Sequence, residues 1–197
     1  MLREQILWRL PRTPTRLGNW TKLMNTTLQL RPAVASDQEG IIDLVTRVYG
    51  EYGDRICLER ADGDLLDLQA SYWEPGGEFV VLERDCVILG THALLPLVDQ
   101  DGCCTFRRLY LDESLRGQQW GETLMQWALE RARERGFKRV EFWSDTRFTR
   151  GHRFFQRLGF QSNGQVREMN DGWEDYQEYF FFRQLDDQRN DNLQAPV

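Results

Sequence analysis

The clearest chemical feature of the sequence is the hexapeptide Arg116-Gly117-Gln118-Gln119-Trp120-Gly121, which follows an apolar, strand-like stretch and opens a helix-like one. The first backbone N–H groups of a helix lack intrahelical partners and carry partial positive charge from the helix dipole. Glycine lets the backbone approach an anion closely, and an arginine offers a forked donor to phosphate oxygens. The hexapeptide therefore predicts a pyrophosphate site, although glycines that only shape a strand–helix turn would give the same pattern.

Two common phosphate-binding motifs do not describe this turn. The sequence has no Gly-Lys-Ser/Thr, so the turn is not a P-loop. A dinucleotide site needs Gly-x-Gly-x-x-Gly directly after a strand, and residues 116–121 do not supply it.

The elements that must position the turn alternate between strand and helix patterns. Residues 28–31 alternate like a short strand, and Ser36 or Asp37 caps a helix that follows. The remaining predicted elements are strands at 79–82, 87–90, 105–111, 140–143 and 175–183, and helices at 122–135 and 150–158. This order predicts a mixed α/β (α+β) domain whose first half is largely antiparallel.

Bulk properties narrow the classes of function. The 197 residues suit one domain, and a formal net charge of -6 gives no broad footprint for nucleic acid. No apolar run reaches the roughly 20 residues that cross a membrane, and no secretion signal follows Met1. The four cysteines lack zinc-site spacing, so we expect no metal, reduced thiols and a cytoplasmic setting.

Both ends of the chain differ in composition from the middle. Residues 1–26 are rich in Arg and poor in acids, which suggests a poorly ordered extension or, as the alternative, a targeting arm. Residues 186–197 are polar, and we expect a disordered tail. The domain itself is expected at residues 27–185.

A second motif adds to the turn. The end of the short helix predicted at 150–158 carries the motif Phe154-Phe155-Gln156-Arg157-Leu158-Gly159-Phe160. Together with the hexapeptide it resembles the GCN5-related N-acetyltransferase (GNAT) family, which carries Arg/Gln-x-x-Gly-x-Gly/Ala and often Phe-Tyr-x-x-x-Gly-Phe. Arg107-Arg108-Leu109-Tyr110-Leu111 also resembles the fourth strand of that family. The resemblance covers roughly residues 27–185. It implies a mostly antiparallel central sheet of about six to seven strands flanked by about four helices.

The resemblance also implies a function. In this family, acetyl-CoA is the co-substrate and lies where the fourth and fifth strands splay apart. A small-molecule or peptide amine would attack the acetyl group directly in a ternary complex. The residues expected to bind the cofactor are Leu109, Tyr110, Leu111, Arg116, Gly117, Gln118, Gln119, Trp120, Gly121, Glu122, Thr123 and Phe155.

Three positions depart from the family pattern. Gln119 stands where the turn usually has a Gly, and it fits without strain only if its φ is negative. Phe155 replaces the Tyr that usually protonates the departing thiolate, so Ser144 and His152 become the catalytic candidates. His152 is otherwise expected to be an exposed histidine. Thr105 stands where some members of the family carry the Glu that acts as general base.

The general base must therefore come from elsewhere. Six acids lie in the region that forms the acceptor wall of this fold: Glu51, Asp54, Glu59, Asp62, Asp64 and Asp67. They could attract a cationic amine and relay its proton. A solvated acidic loop is the plainer interpretation.

Two other functions stay open at this point. The replacements at Gln119 and Phe155 would also suit a non-catalytic acyl-CoA-binding module. A thiol enzyme using a cysteine with His92 or His152 is the third hypothesis. A homodimer formed through the aromatic last strand, residues 176–182, is a further hypothesis about partners.

Overall fold

The computed structural model describes residues 27–185. The expectations for residues 1–26 and 186–197 therefore lie outside the described residues. The strands are β1 Gln29–Pro32, β2 Glu78–Arg84, β3 Val87–Pro96, β4 Cys103–Leu111, β5 Arg139–Asp145, β6 Val166–Asn170 and β7 Asp175–Gln184. The α-helices are α1 Gln38–Gly50, α2 Trp120–Glu134 and α3 Thr149–Arg157, and a π-helical turn spans Gln69–Trp73.

The strands form one seven-stranded sheet in the order β1-β2-β3-β4-β5-β7-β6. Every neighbouring pair is antiparallel except β4 and β5, which run parallel. This confirms the predicted fold class and strand number. Strand β6 is the one strand of the described residues that the sequence pattern did not predict, because its side chains are mostly exposed and show no apolar alternation.

The sheet is covered on both faces. Helix α1 buries Ile41, Leu44 and Val48 against one face, as its 3.6-residue spacing predicts. Helix α2 buries Met125 and Ala128 with residues of β4 and β5 on the other face. Strands β2 and β3 are therefore buried on both sides and read as nearly continuous apolar runs. None of the helices in the described part of the chain is long and apolar enough to cross a bilayer.

Strands β4 and β5 separate soon after they meet. They pair only through Cys103–Arg139, Cys104–Val140 and Thr105–Glu141. Beyond these pairs, residues 106–111 of β4 keep their ladder to β3, and no strand among residues 27–185 pairs with them on the β5 side. The splayed strands create the gap that the resemblance implied.

A β-bulge lies in β4 beside this gap. Thr91 faces Tyr110 and Ala93 faces Arg107, so β4 holds one extra residue opposite His92. Arg108 takes a φ of 54° within the bulge, and the Thr91 hydroxyl donates to its carbonyl at 2.8 Å. The bulge turns the following residues, including Tyr110, relative to the sheet.

The hypothesis that the aromatic last strand is a free edge for a dimer is wrong. Strand β7 pairs with β5 on one side and with β6 on the other, so residues 176–182 do not form a sheet edge. Within residues 27–185 the edges are β1 and β6. The aromatic side chains of β7 instead pack within the sheet, as Phe181 does against Phe142.

Candidate active site

A cavity of about 1230 Å³ occupies the gap between β4 and β5. Its walls come from the end of α1, the splayed part of β4, the start of α2, the end of β5, helix α3 and the β6–β7 hairpin. Ligand sites usually occupy roughly 300–1,000 Å³. The cavity is therefore large enough for an extended ligand together with a second, smaller one.

The start of α2 forms one end of the cavity. Gly117 has a φ of 75° and Gln119 a φ of 65°, and helix α2 begins directly after them at Trp120. In the part of the chain that the structure describes, no hydrogen-bond acceptor faces the backbone N–H of Gly117, Gln118 or Gln119. These donors are available to an anion, in the way that the sequence predicts.

The φ of Gln119 is positive, whereas a fit without strain required a negative value. Its positive φ places a non-glycine residue in the left-handed region, which costs roughly 1–2 kcal/mol. The turn keeps the shape that a glycine would give it. A glycine would adopt this φ without strain, so Gln119 holds a backbone conformation that favours glycine.

The Arg116 side chain is engaged with the protein itself. It forms a two-pronged ion pair with Glu51, with Nη2 to Oε1 at 2.8 Å, and donates to the Leu111 carbonyl at 3.0 Å. It thereby ties the end of α1 to the end of β4. A phosphate could recruit this guanidinium only in competition with Glu51, so its expected contact with phosphate stays a prediction.

Most of the predicted cofactor residues meet in this cavity. Those on its wall are Leu109, Tyr110, Leu111, Arg116, Gly117, Gln119, Trp120, Gly121, Glu122 and Phe155. The side chains of Gln118 and Thr123 instead bond locally, to the carbonyls of Ser114 and Gln119. Phe155 lies edge-on against Phe142 and beside the buried Phe160.

The two catalytic candidates lie together. Ser144, near the end of β5, has its Oγ 3.3 Å from Nε2 of His152 on α3. His152 is only 9% exposed, so the expectation of an exposed histidine is wrong. Burial lowers the pKa of His152, although the nearby Asp145 opposes the shift. The ring is packed against Tyr179 and Phe181, because helix α3 lies over β7.

The acidic residues of the acceptor wall are not simply solvated. Arg108, pointing from the β4 bulge, donates to Asp62 at 2.6 Å and forms a close pair with Asp64. Asp62 is 2% exposed. Burial would raise the pKa of Asp64, but the charge and hydrogen bonds of Arg108 outweigh it and the pKa is lowered.

Two tyrosines connect this ion cluster to the cavity. The Tyr49 hydroxyl donates to Asp62 at 3.1 Å and lies 3.0 Å from the hydroxyl of Tyr110. Burial raises the pKa of both phenols, so both are protonated at neutral pH. Sequence reasoning missed Arg108 and Tyr49 as site residues, since the bulge that aligns them leaves no spacing signal.

A second cluster closes the opposite wall. Arg147 donates to Asp145 at 2.6 Å, to Asp54 at 2.9 Å and to Glu174 at 2.8 Å. It joins the end of β5 to the segment after α1 and to the β6–β7 hairpin. Asp171, in the same hairpin, is also buried. Only Asp54 of this group was a sequence candidate.

The thiol-enzyme hypothesis finds no support in the environment of Cys103 and Cys104. Burial raises the pKa of Cys104 to about 12, and it also raises the pKa of Cys103. Both thiols are therefore protonated and poorly nucleophilic at neutral pH. His92 is buried between Phe106 and Trp127, and within the described chain neither of its ring nitrogens has a hydrogen-bond partner.

Comparisons with known proteins agree with this geometry. A model of the acetyltransferase (GNAT) family matches residues 45–160. The protein named uncharacterized N-acetyltransferase YjgM of Escherichia coli strain K12 is 29% identical over 136 residues, which cover 68% of this chain and 78% of that protein.

Solved structures share the fold. An acetyltransferase of the GNAT family from Staphylococcus aureus Mu50 superposes with a TM-score of 0.68 at 19% identity, covering 81% of this chain and all of that one. The ribosomal-protein-alanine N-acetyltransferase of Brucella melitensis gives a TM-score of 0.61 at 17% identity, covering 80% of this chain and 100% of that one. With its splayed strands, its open helix start and the match of residues 45–160, this chain belongs to the GNAT acetyltransferase family.

Proposed function

We propose that the protein is an N-acetyltransferase that moves the acetyl group of acetyl-CoA to a primary amine. The observation that carries the proposal is the gap between β4 and β5, which ends at unpaired amides before α2. A backbone edge suits the amide-bearing pantetheine arm, and helix-start amides suit a pyrophosphate. A family of acetyltransferases with the same fold supports this pairing.

The cofactor would lie along the splayed part of β4. Its pantetheine arm would pair with the backbone of residues 109–111, which have no strand on that side. Its pyrophosphate would accept from the amides of Gly117, Gln118 and Gln119, with the dipole of α2 behind them. The acetyl group would then face the bulge and the end of β5. No metal is needed for this chemistry.

The reaction would be a direct attack in a ternary complex. A neutral amine attacks the thioester carbonyl, and the tetrahedral oxyanion accepts a hydrogen bond from a backbone N–H within residues 109–111. Collapse releases the CoA thiolate and the acetylated amine. Most of the rate gain would come from positioning the two substrates and from this fixed donor.

Ser144 would supply the proton for the departing thiolate. Its hydroxyl donates the proton to the sulfur and regains one from solvent, while His152, whose Nε2 lies 3.3 Å away, holds the hydroxyl in place. Ser144 would thus take the role of the tyrosine that Phe155 replaces.

A chain of hydroxyls would remove the proton from the incoming ammonium. Because Tyr49 donates to Asp62, the hydrogen between the two phenols must come from Tyr110. The Tyr110 oxygen can then accept from the amine while its own proton passes through Tyr49 towards Asp62. A step of this kind is typically worth 10²–10⁴-fold in rate.

The experiment is release of free thiol from acetyl-CoA, measured against a panel of amines. We expect turnover with at least one amine, and mass spectrometry of the enzyme with acetyl-CoA alone should show no acetylated protein. Thermal stabilisation by CoA without turnover on any amine would instead support the non-catalytic acyl-CoA-binding alternative. An acetylated Ser144 would contradict direct attack.

The setting proposed for this reaction is the cytoplasm. All four cysteines are free in the structure, which fits a reducing compartment.

A further inference from the structure

Asp171 carries a buried carboxylate oxygen without a partner. The residue is 6% exposed, and its Oδ1 accepts from the backbone N–H groups of Trp173 and Glu174 at 2.7 and 2.9 Å. Its Oδ2 is buried and meets no donor in the described chain. A buried charge without a partner costs several kcal/mol unless a cation or a donor satisfies it.

The surroundings of Asp171 are rich in carboxylates. One carboxylate oxygen from each of Asp54, Asp171 and Glu174 lies within 4.8 Å of the other two. Burial raises the pKa of Asp54, and the negative charge of Asp171 raises it further, although Arg147 opposes the shift. The hairpin thus concentrates negative charge at one wall of the cavity.

The arginines nearby do not neutralise Asp171. Arg147 forms its ion pairs with Asp54, Asp145 and Glu174. Arg55 lies over the ring of Trp173 at 4.5 Å, and Arg60 donates to Asn170 at 3.4 Å. In residues 27–185, no ion pair reaches Asp171, so one negative charge is left over beside the acceptor end of the cavity.

We propose that this leftover charge binds a second cationic group of the acceptor, so that the substrate is a diamine or polyamine. This rests on the proposed function: one amine is acetylated at the end of β5, and the other, as an ammonium, donates to Asp171 and the adjoining carboxylates. An ammonium has three donors, which suits oxygens that converge from several side chains. Charge-assisted hydrogen bonds of this kind are about twice as strong as neutral ones.

A metal ion fits the same oxygens less well. Two of the three residues that would bind the metal, Asp54 and Glu174, already accept hydrogen bonds from Arg147. A divalent cation would have to sit against that guanidinium, and the like charges repel at this short range. An organic ammonium brings half the charge and can approach from the cavity without displacing Arg147.

The test compares cadaverine with pentylamine, which has the same carbon chain and one amine. In the wild-type enzyme, kcat/KM for cadaverine should exceed that for pentylamine by roughly tenfold or more. Asp171→Asn keeps the Oδ1 acceptor and removes the charge. It should bring the ratio close to one and raise the melting temperature, because it removes the buried charge, while leaving kcat/KM for pentylamine and KM for acetyl-CoA nearly unchanged. Glu168→Gln, an exposed acid of β6 outside the cavity wall, is the matched control and should keep the wild-type ratio.

Three results would overturn the inference. They are a wild-type ratio near one, a ratio that survives Asp171→Asn, and calorimetric binding of Mn²⁺ that Asp171→Asn abolishes. If no amine of the panel releases thiol, the proposed function fails separately. Titration of cadaverine into the CoA-loaded protein then decides the cation site, because binding should be weaker by a similar factor in Asp171→Asn.

Discussion

Gln119 shows how one residue can hold a turn in a glycine-like backbone conformation while departing from the family consensus. The backbone at this position has a φ of 65°, which is ordinary for glycine and strained for glutamine. What an anion needs there is the N–H, and every residue except proline supplies it. Having Gln rather than Gly at position 119 should therefore lower the stability of the fold more than it lowers the affinity for the cofactor.

Gln119→Gly should raise the free energy of unfolding by about 0.5–1 kcal/mol, because it relieves the left-handed strain. Affinity for CoA should stay within about twofold, since the backbone donor is kept. Gln118→Gly is the matched control: Gln118 is not among the residues with positive φ, so the change should lower stability. Urea unfolding of both variants measures this, and a loss of stability in Gln119→Gly would contradict the account.

His92 should make stability depend on pH. Burial lowers its pKa from 6.5 to about 3, so below pH 6.5 the unfolded chain takes up a proton that the folded protein refuses. The free energy of unfolding therefore falls as the pH drops towards 3, and this group contributes a loss of about 2 kcal/mol between about pH 7.5 and pH 5.

Urea unfolding at these two pH values checks the prediction. His92→Leu removes the titrating group and should show a smaller loss of stability on acidification than the wild type. His152 also has a lowered pKa and remains in both proteins, so only the difference between them reports on His92. An equal loss in the two proteins would be evidence against a neutral, buried His92.

At the scale of elements, the bulge in β4 organises the acceptor wall. It sends the Arg108 side chain towards Asp62 and Asp64, two acids from the segment that follows α1. The side chains of Arg108 and Asp62 are only 9% and 3% exposed. The strand and the segment are therefore held together by buried charges, and neither carboxylate is well solvated alone.

Arg108→Met should lower the free energy of unfolding by about 3–5 kcal/mol, because it leaves the buried Asp62 and the partly buried Asp64 without their cation. Arg131→Met offers a matched control, since Arg131 pairs with Glu78 and Glu134 at a largely exposed surface. That change should cost less than about 1 kcal/mol. Equal losses for the two variants in urea unfolding would mean that the buried pairs do not stabilise the wall.

The sequence predicted local features better than tertiary ones. The spacing in α2 and the glycine that follows at Gly136 marked that helix to within two residues at each end. The turn at 116–121 was found because its donors come from consecutive residues. Arg108, Tyr49 and Arg147 were missed because each has at least one partner that is distant in sequence, and a one-residue bulge decides where Arg108 points.

Strand β6 illustrates the same limit at an edge. Its residues are mostly exposed, so burial leaves no period-2 pattern, and it is a strand because β7 supplies hydrogen-bond partners. The mistaken dimer edge followed from this omission, since without β6 the aromatic β7 would have been the last strand of the sheet.

For the molecule as a whole, the cavity has two ends of different chemistry. One end offers unpaired amides at the start of a helix, and the other gathers carboxylates around Arg108 and Arg147. An anionic cofactor and a cationic acceptor would thus meet between them, at the point where β4 and β5 part. This division explains why one cavity can serve both substrates of the proposed reaction.

The most direct test of this account is a crystal structure of the protein with CoA bound. We predict that the pyrophosphate oxygens lie about 3 Å from the backbone nitrogens of Gly117, Gln118 and Gln119, with the pantetheine arm along residues 109–111 in the gap. The sulfur should then face Ser144. CoA bound elsewhere, or with its pyrophosphate away from the start of α2, would contradict the central claim that this gap is the acetyl-CoA site.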